Sequence, residues 1–504
     1  MFDICIVGSG PSAVISAQVF VEKGYKICLL DIGDECKYKI PFKHFNEQLS
    51  PEADFFYPPD NNQSSTQSGD AQITKAREHL ITHVNSYLQI ESSNFAAFQA
   101  LASGGLSAAW GAACFTYNDT DLDKASIGQL RSHYEAVAKI IGISGPKRSS
   151  FCDIQAKQKP ANIDHNGQSL LRQCQNTFVL EPSSMALLTE PLNGRTANPY
   201  FDMDFYSNFG DSIFRSDCLL KTLALKPNFT HIKPALVTSF EEAHDQVKVK
   251  YLDLASSTTG QVVAAQLIIC AGAINSYRLV ANSLKIFEVP NPILCNPYIN
   301  IPTIHLPNLG KKGAYYRHSL SQVFGEFHDN SDITLQFYSY RSLLLSRLMA
   351  QTPMPAFFAR LFWRALSESL VIVGAHFADD GKSPRSIQAL QAAQTSLPAL
   401  KIDFPHPSLS NVFRLIGNLL KLRCVPMGIV KTKMGASIHY AGTIPISYEG
   451  QYPIGMDEQG RVHHTKNVYV FDSSGWTYLP SRGLTFTIMA NAHRLSEALQ
   501  RRNS

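Results

Sequence analysis

The chain opens on "FDICIVGSGPSA" (Phe2 to Ala13), an apolar run that enters a glycine-rich turn with no linker between them. "DICIV" has the short, β-branched character of a strand buried on both faces, and "AVISAQVFVEKG" after the turn repeats apolar residues at helical spacing until Gly24 closes it. A second apolar run, "KICLLD", ends in Asp31. Strand, glycine turn, helix and strand with a terminal acid are the order of a dinucleotide-binding βαβ unit, in which Gly8, Gly10 and Ala13 stand as G-x-G-x-x-A. Gly8 makes the tight turn, Gly10 lets backbone approach a pyrophosphate, and Ala13 lets helix and sheet close together. A helix opening at Pro11 and Ser12 aims its unpaired N–H groups at the diphosphate, while Asp31 can accept hydrogen bonds from ribose hydroxyls. The glycine pattern alone also suits an ordinary strand-to-helix turn; the complete unit with its carboxylate is what points to a dinucleotide.

Composition sets the outer bounds. At 504 residues, 44% hydrophobic and 17% charged, the chain has the balance of a globular protein of one large or two intermingled domains. Lys and Arg total 45 against 41 Asp and Glu, with no dense basic block of the kind a nucleic-acid footprint needs. The first strand begins at once, leaving no room for a secretory leader, so the expected location is the cytoplasm. No apolar stretch reaches the ~18 residues of a membrane span. Ten cysteines are scattered as singletons, and Cys5, Cys28 and Cys270 sit in apolar runs, so reduced, buried thiols and no metal site are expected.

A nicotinamide enzyme would complete its binding domain within roughly the first 150 residues. Here three further, widely separated segments read as parts of one cofactor site: "SGGLSAAWGAACF" (Ser103 to Phe115), "QLIICAGAINSYRLVANS" (Gln266 to Ser283) and "NVYVFDSSGWTYLPSRGLTFTIMANAHRLSEAL" (Asn467 to Leu499). With "SIHYAGTIP" (Ser437 to Pro445), these resemble the glucose-methanol-choline (GMC) oxidoreductases, flavin enzymes that oxidise alcohols; "GGLSAAWG" is most similar to the sugar-oxidising branch that includes pyranose oxidase and the flavin subunit of gluconate dehydrogenase. The resemblance implies FAD, with its adenosine at Gly8, Gly10 and Asp31. It further implies Gly104, Gly105 and Ser107 near the diphosphate and flavin, the backbone of Val237 near the adenine, and Asp472 with Gly483, Leu484 and Thr485 near the ribityl chain and pyrimidine. Cys270 to Ala273 would pack beside the cofactor. The residue that bonds covalently to flavin in pyranose oxidase is replaced by Ala109, so the FAD is expected to be held non-covalently.

Oxidising an alcohol requires a base for the hydroxyl proton while a hydride leaves the same carbon, and histidine fits that task. Among sixteen histidines, His439 stands in "HYAGT", which is similar to the family's H-x-x-G-T, and the resemblance makes it the base. The family's second polar residue aligns with Gly483, which has no side chain. Tyr440, Tyr478, Ser481 or Arg482 are candidate substitutes, with His439 working alone as the alternative, and Arg482 reads more simply as a solvated loop cation. Trp110 and Tyr440 are candidate walls of the substrate pocket.

The fold class expected is α+β: a Rossmann-like FAD-binding domain from residues 1–35, 96–125, 210–290 and 455–504, and a substrate domain on an antiparallel sheet from 126–209 and 291–454. Residues 36–95, with the polar "PPDNNQSSTQSGDAQ" (Pro58 to Gln72), read as an excursion or lid. "TSFEEAHDQVKVKYLDLASSTTGQVVAAQLIICAG" alternates like a β-meander, and strands are expected near "DITLQFYSY" and "SLVIVGAHF". Arg341 to Leu370 reads as two helices broken at Pro353 and Pro355. In the second, Phe358, Phe362, Ala365 and Leu366 share a side next to Arg360 and Arg364. Core packing with exposed arginines is the plainer expectation, and a seat in a membrane interface is the alternative.

The resulting expectation is an FAD-dependent oxidoreductase acting on the CH–OH group of a sugar, polyol or glycan alcohol, with its electron acceptor unspecified. The alternatives are a flavin-dependent isomerase or epimerase on the same scaffold, and an inactive FAD-fold binding protein.

Overall fold

The computed structural model describes residues 1–35, 79–173, 178–200, 204, 208–311, 317–339, 352–391, 397–405 and 412–503. The stretch Pro58 to Gln72, most of the 36–95 excursion and the first of the two helices expected in 341–370 lie outside them.

In chain order the elements that position the site are β1 (Phe2–Val7), α1 (Pro11–Glu22), β2 (Ile27–Leu30), α2 (Arg131–Ile141), β3 (Phe178–Pro182), β4 (Phe229–Ile232), β5 (Ala235–Ala243), β6 (Gln246–Asp253), β7 (Thr258–Ile269) and α3 (Ala273–Leu284). There follow β8 (Tyr298–His305), β9 (Val323–Phe327), β10 (Asn330–Ser339), α4 (Ala356–Leu366), β11 (Leu370–Phe377), α5 (Val412–Lys421), β12 (Cys424–Pro426), β13 (Val430–Lys431), β14 (Val468–Val470) and α6 (Thr485–Asn503).

The first sheet runs β4-β2-β1-β7-β6-β5, with β14 also on β7. Its β4, β2, β1, β7 and β14 are mutually parallel, with Cys5 opposite both Cys28 and Leu267. Parallel strands covered on both faces need continuous apolar sequence, and every residue from Ile4 to Val7 and from Ile27 to Leu30 is buried. β5, β6 and the start of β7 form the expected antiparallel meander. On one face α1 lies against α6, which also packs on α2. Phe20, Ile15 and Val14 of α1 are fully buried there, each contributing roughly 2–3 kcal/mol.

The second sheet, β12-β8-β11-β10-β9-β3 with β13 also on β8, is antiparallel throughout. Its strands include "DITLQFYS" and "LVIVGAHF", as the alternation of the sequence predicts. The molecule is thus α+β, a Rossmann-like parallel unit joined to an antiparallel second sheet. The eight cysteines among the described residues are free and buried.

One expectation fails here. α4 does not bury its aromatic stripe: Phe357, Phe358, Leu361 and Phe362 are 68%, 60%, 51% and 44% exposed, and the fully buried position among the described side chains of this helix is Ala359. The apolar stripe faces outward because the small residue, not the large ones, is turned to the fold.

Candidate active site

A cavity of about 440 Å³ runs from the β1–α1 turn across the ends of the parallel strands to the second sheet. At the β1–α1 end its walls are backbone. Gly8 takes φ +96°, and a Cβ there would lie 2.6 Å from the Cys270 carbonyl oxygen, so only glycine suits this position. Its N–H donates to the Leu30 carbonyl at 2.8 Å, which locks the turn onto β2. Gly10 is the N-cap of α1, with Pro11 as first helical residue and no side-chain cap, so the unpaired N–H groups of a twelve-residue helix open onto the cavity. Gly105 lies across from it, a Cβ there being 3.5 Å from Gly10 Cα.

Asp31 ends β2 and also lines the cavity. Burial pushes its carboxyl up to about 7, against the lowering effect of the Ser9 hydroxyl that donates to it. Ser9 Oγ in turn accepts from the Gly104 N–H at 2.9 Å, tying the Gly104–Gly105 loop to the dinucleotide turn. Ser107 spends its hydroxyl on the Gly104 carbonyl and Ser216 Oγ, at 2.7 and 2.9 Å. Val237 of β5, Leu484 and Thr485 lie in the cavity wall, and Ser12 lies at the start of α1 beside them. Asp472 also lines it, but its carboxylate accepts from Gly272 N (2.9 Å), Ser276 Oγ (2.5 Å) and both N and Oγ of Ser474. It clips β14 to the N-terminus of α3, and burial raises its pKa despite those donors.

At the second-sheet end the walls are side chains. His439 follows Ile438, whose φ is +64°, and precedes the short strand Tyr440–Ala441, which pairs with Leu294–Cys295. That pairing sets His439 Nδ1 3.0 Å from Asn296 Oδ1. The Asn296 amide nitrogen donates to the Phe377, Leu479 and Pro480 carbonyls at 2.7, 3.3 and 3.0 Å, so the amide orientation is fixed by three acceptors. Its oxygen must then accept from His439, which places the imidazole proton on Nδ1 and the lone pair on Nε2. Burial holds the His439 pKa down to about 4, so the ring is neutral at physiological pH.

His376, from β11, stacks on His439 with ring centroids 4.8 Å apart and planes 18° apart. Its pKa is lowered by burial and by His439, and its Nδ1 has no hydrogen-bond partner among the described residues. Tyr298 packs on the other side of this ring at 4.4 Å. Gln336 and Tyr338 of β10 and Trp110 complete this end, with Trp110 Nε1 held by the Phe214 carbonyl at 2.7 Å.

The sequence reading named neither His376 nor Asn296. A histidine closing the apolar run "LVIVGAH" was the signal available for His376; Asn296 has none. Of the four proposed substitutes for the missing side chain at Gly483, only Tyr440 lines the cavity, and its hydroxyl is taken by Gly435 O and Phe98 N at 2.6 and 2.8 Å. Ser481 bonds Thr334 and Ser331, and Tyr478 is buried outside the cavity wall. Arg482 is not a solvated cation: it is buried in a bidentate pair with Glu326, at 2.8 and 2.9 Å, and donates to the Thr116 carbonyl. Gly483 itself faces the cavity, and a Cβ there would meet the Phe115 ring at 3.1 Å. Arg278 was also missed. Fully buried in the cavity wall, it is bonded among the described residues only to neutral acceptors, and burial lowers its pKa to about 9.

Comparison with known proteins adds two findings. Residues 426–492 match the sequence profile of the family described as GMC oxidoreductase. That stretch contains His439, Asp472, Gly483 and Thr485. Among solved structures, pyridoxine 4-oxidase from Mesorbium loti is similar in fold, with a TM-score of 0.61 over 99% of both chains at 13% sequence identity. No curated protein sequence matches the chain.

The residues present fit FAD. Two facing glycines and a free helix N-terminus make a cradle for a diphosphate, Asp31 is a half-buried acid whose one hydroxyl donor among the described residues is Ser9, and Arg278 is a buried cation with no carboxylate partner among the described residues.

Proposed function

We propose that the protein is a GMC oxidoreductase that uses non-covalent FAD to oxidise the CH–OH group of an alcohol, a sugar or polyol. The observation that carries this reading is the fixed tautomer of His439, whose basic Nε2 is left free at the end of a cavity that begins at a dinucleotide turn. Gly8, Gly10 and Gly105 would receive the diphosphate, Asp31 the ribose, and Val237 the adenine, while Leu484 and Thr485 would flank the flavin. Bound FAD supplies the hydride acceptor.

His439 Nε2 takes the hydroxyl proton. Asn296 accepts from Nδ1 throughout and stabilises the positive ring formed when the proton arrives, as a fixed dipole does for a developing charge. His376 lines the same cavity, stacked on His439, and holds the substrate hydroxyl or a neighbouring one, the task that Gly483 cannot perform. Burial keeps both imidazoles neutral and therefore competent as acceptors. Gln336, Tyr338 and the Trp110 face provide the mixture of hydrogen-bonding and flat apolar surface that suits a polyhydroxylated ring.

The test is anaerobic flavin reduction followed with candidate alcohols. His439→Ala is expected to retain FAD yet be reduced at least ~100-fold more slowly, the usual loss for a general base. Unchanged reduction kinetics would remove His439 from the mechanism.

A further inference from the structure

We propose that one edge of the second sheet, together with α4, seats the protein on a lipid bilayer bearing anionic headgroups. β8 is flanked on its outer side by β12 and β13, which form the edge of the sheet. Ile304 pairs with Val425 of β12 on one side and with Leu370, the first residue of β11, on the other. α4 leads into β11 through the turn Ser367–Ser369, which packs on the turn Leu306–Asn308 that follows β8. α5 leads into β12. These connections gather α4, the end of α5 and the outer edge of β8 at one end of the sheet.

The large side chains there face out: Phe357, Phe358, Leu361 and Phe362 on α4, Leu306 and Leu309 after β8, Leu420 on α5, and Val425, Met427, Ile429 and Val430 along the edge. Apolar exposure that extends over two helices and a strand edge needs an occupant. The charge pattern says which. Residues 404–448 contain no Asp or Glu, nor do residues 333–367. Lys421, Arg423, Lys431 and Lys433 are exposed among the apolar side chains of the edge. Aromatic and aliphatic residues ringed by cations with no anion between them match the two layers of an anionic bilayer surface, acyl boundary and headgroups. No helix among the described residues is long and apolar enough to cross a membrane, so the contact would be peripheral.

The edge also has a direction. Lys431 pairs with Ile299 at the far end of β8, and the chain then runs through Met434 to the exposed Ile438, next to His439. The proposed membrane face therefore extends to the substrate end of the cavity, an arrangement suited to an alcohol carried on a lipid. The seat itself rests on the surface alone; only this substrate class rests on the flavin reading.

The experiment is flotation of the full chain with vesicles of phosphatidylcholine alone and of phosphatidylcholine mixed with phosphatidylglycerol. The wild type is expected to float with the anionic vesicles and to bind them at least ~10-fold more tightly than the neutral ones. Phe358→Ser with Phe362→Ser, and separately Lys421→Glu with Arg423→Glu, should each weaken that binding at least ~10-fold while leaving the melting temperature unchanged, because these side chains are exposed. Absence of flotation with anionic vesicles, or equal flotation by both variants, overturns the proposal. So does a dimer in sedimentation that the double phenylalanine variant dissolves, since a second copy would then cover the face. A chain that floats but binds no FAD would overturn the proposed function and leave this inference standing.

Discussion

At the β1–α1 turn the cavity is lined by what side chains are not there, and at the second sheet by what they carry. Gly8, Gly10 and Gly105 bring main chain within reach of a ligand, with no room for a Cβ at Gly8. His439, His376 and Asn296 are full-sized side chains, gathered from three separate segments and fixed by stacking and by amide–carbonyl bonds. A binding site made of backbone is inseparable from the fold that shapes it. A reactive group made of side chains can be removed and leave the fold in place.

The sharpest way to break that contrast is to exchange the two kinds of damage. Gly8→Val puts a β-branched residue at φ +96° and a Cβ against the Cys270 carbonyl oxygen. The left-handed backbone alone costs ~1–2 kcal/mol, and the overlap adds to it. The expected outcome is protein that purifies without FAD and melts at a lower temperature, in contrast to His439→Ala, which should stay yellow and stable. A Gly8→Val protein with wild-type FAD content and melting would show that the turn is not the cradle.

His376 sharpens the comparison within the side-chain end. If an imidazole nitrogen of His376 holds a substrate hydroxyl, His376→Ala should slow flavin reduction ~10-fold, about 1.4 kcal/mol, the worth of one good hydrogen bond. His376→Phe keeps a ring to stack on His439 and Tyr298 but has no nitrogen, and it should be as slow as the alanine. Full activity in the phenylalanine variant would reduce His376 to a packing role.

The same contrast explains what could be read from the sequence. A backbone requirement is local and shows as residue type at fixed spacing, so Gly8, Gly10, Asp31 and the parallel unit around them were legible in the first thirty-one residues. His439 was legible only through its "HYAGT" context. His376 was not, because a polar residue in the strand "LVIVGAHF" gains meaning only when the fold stacks it on His439. Arg482 was misread for the related reason that its partner, Glu326, is far away in sequence and comes from β9 of the second sheet. The outward turn of α4 was equally hidden, since an amphipathic pattern gives a helix its apolar face without saying what that face meets.

The smallest expected effect lies at the junction of the two kinds of wall, in the one side chain the dinucleotide turn employs. Burial raises the Asp31 pKa from 3.8 to about 7. A carboxyl whose folded pKa lies above its unfolded one stabilises the fold while protonated. That contribution is complete below 3.8 and is lost as pH rises through 7. Ribose hydroxyls donating to Asp31 favour the carboxylate and pull its pKa down. FAD binding below pH 7 must therefore release a proton, and affinity should fall by up to ~10-fold for each pH unit below that point. Titrating the apoprotein with FAD across this range measures the slope, and Asp31→Asn, with no proton to lose, should bind more weakly at neutral pH but with a flat profile. A wild-type affinity that does not change as pH falls below 7 would mean that the ribose does not rest on Asp31, and that the cavity holds its ligand by backbone alone.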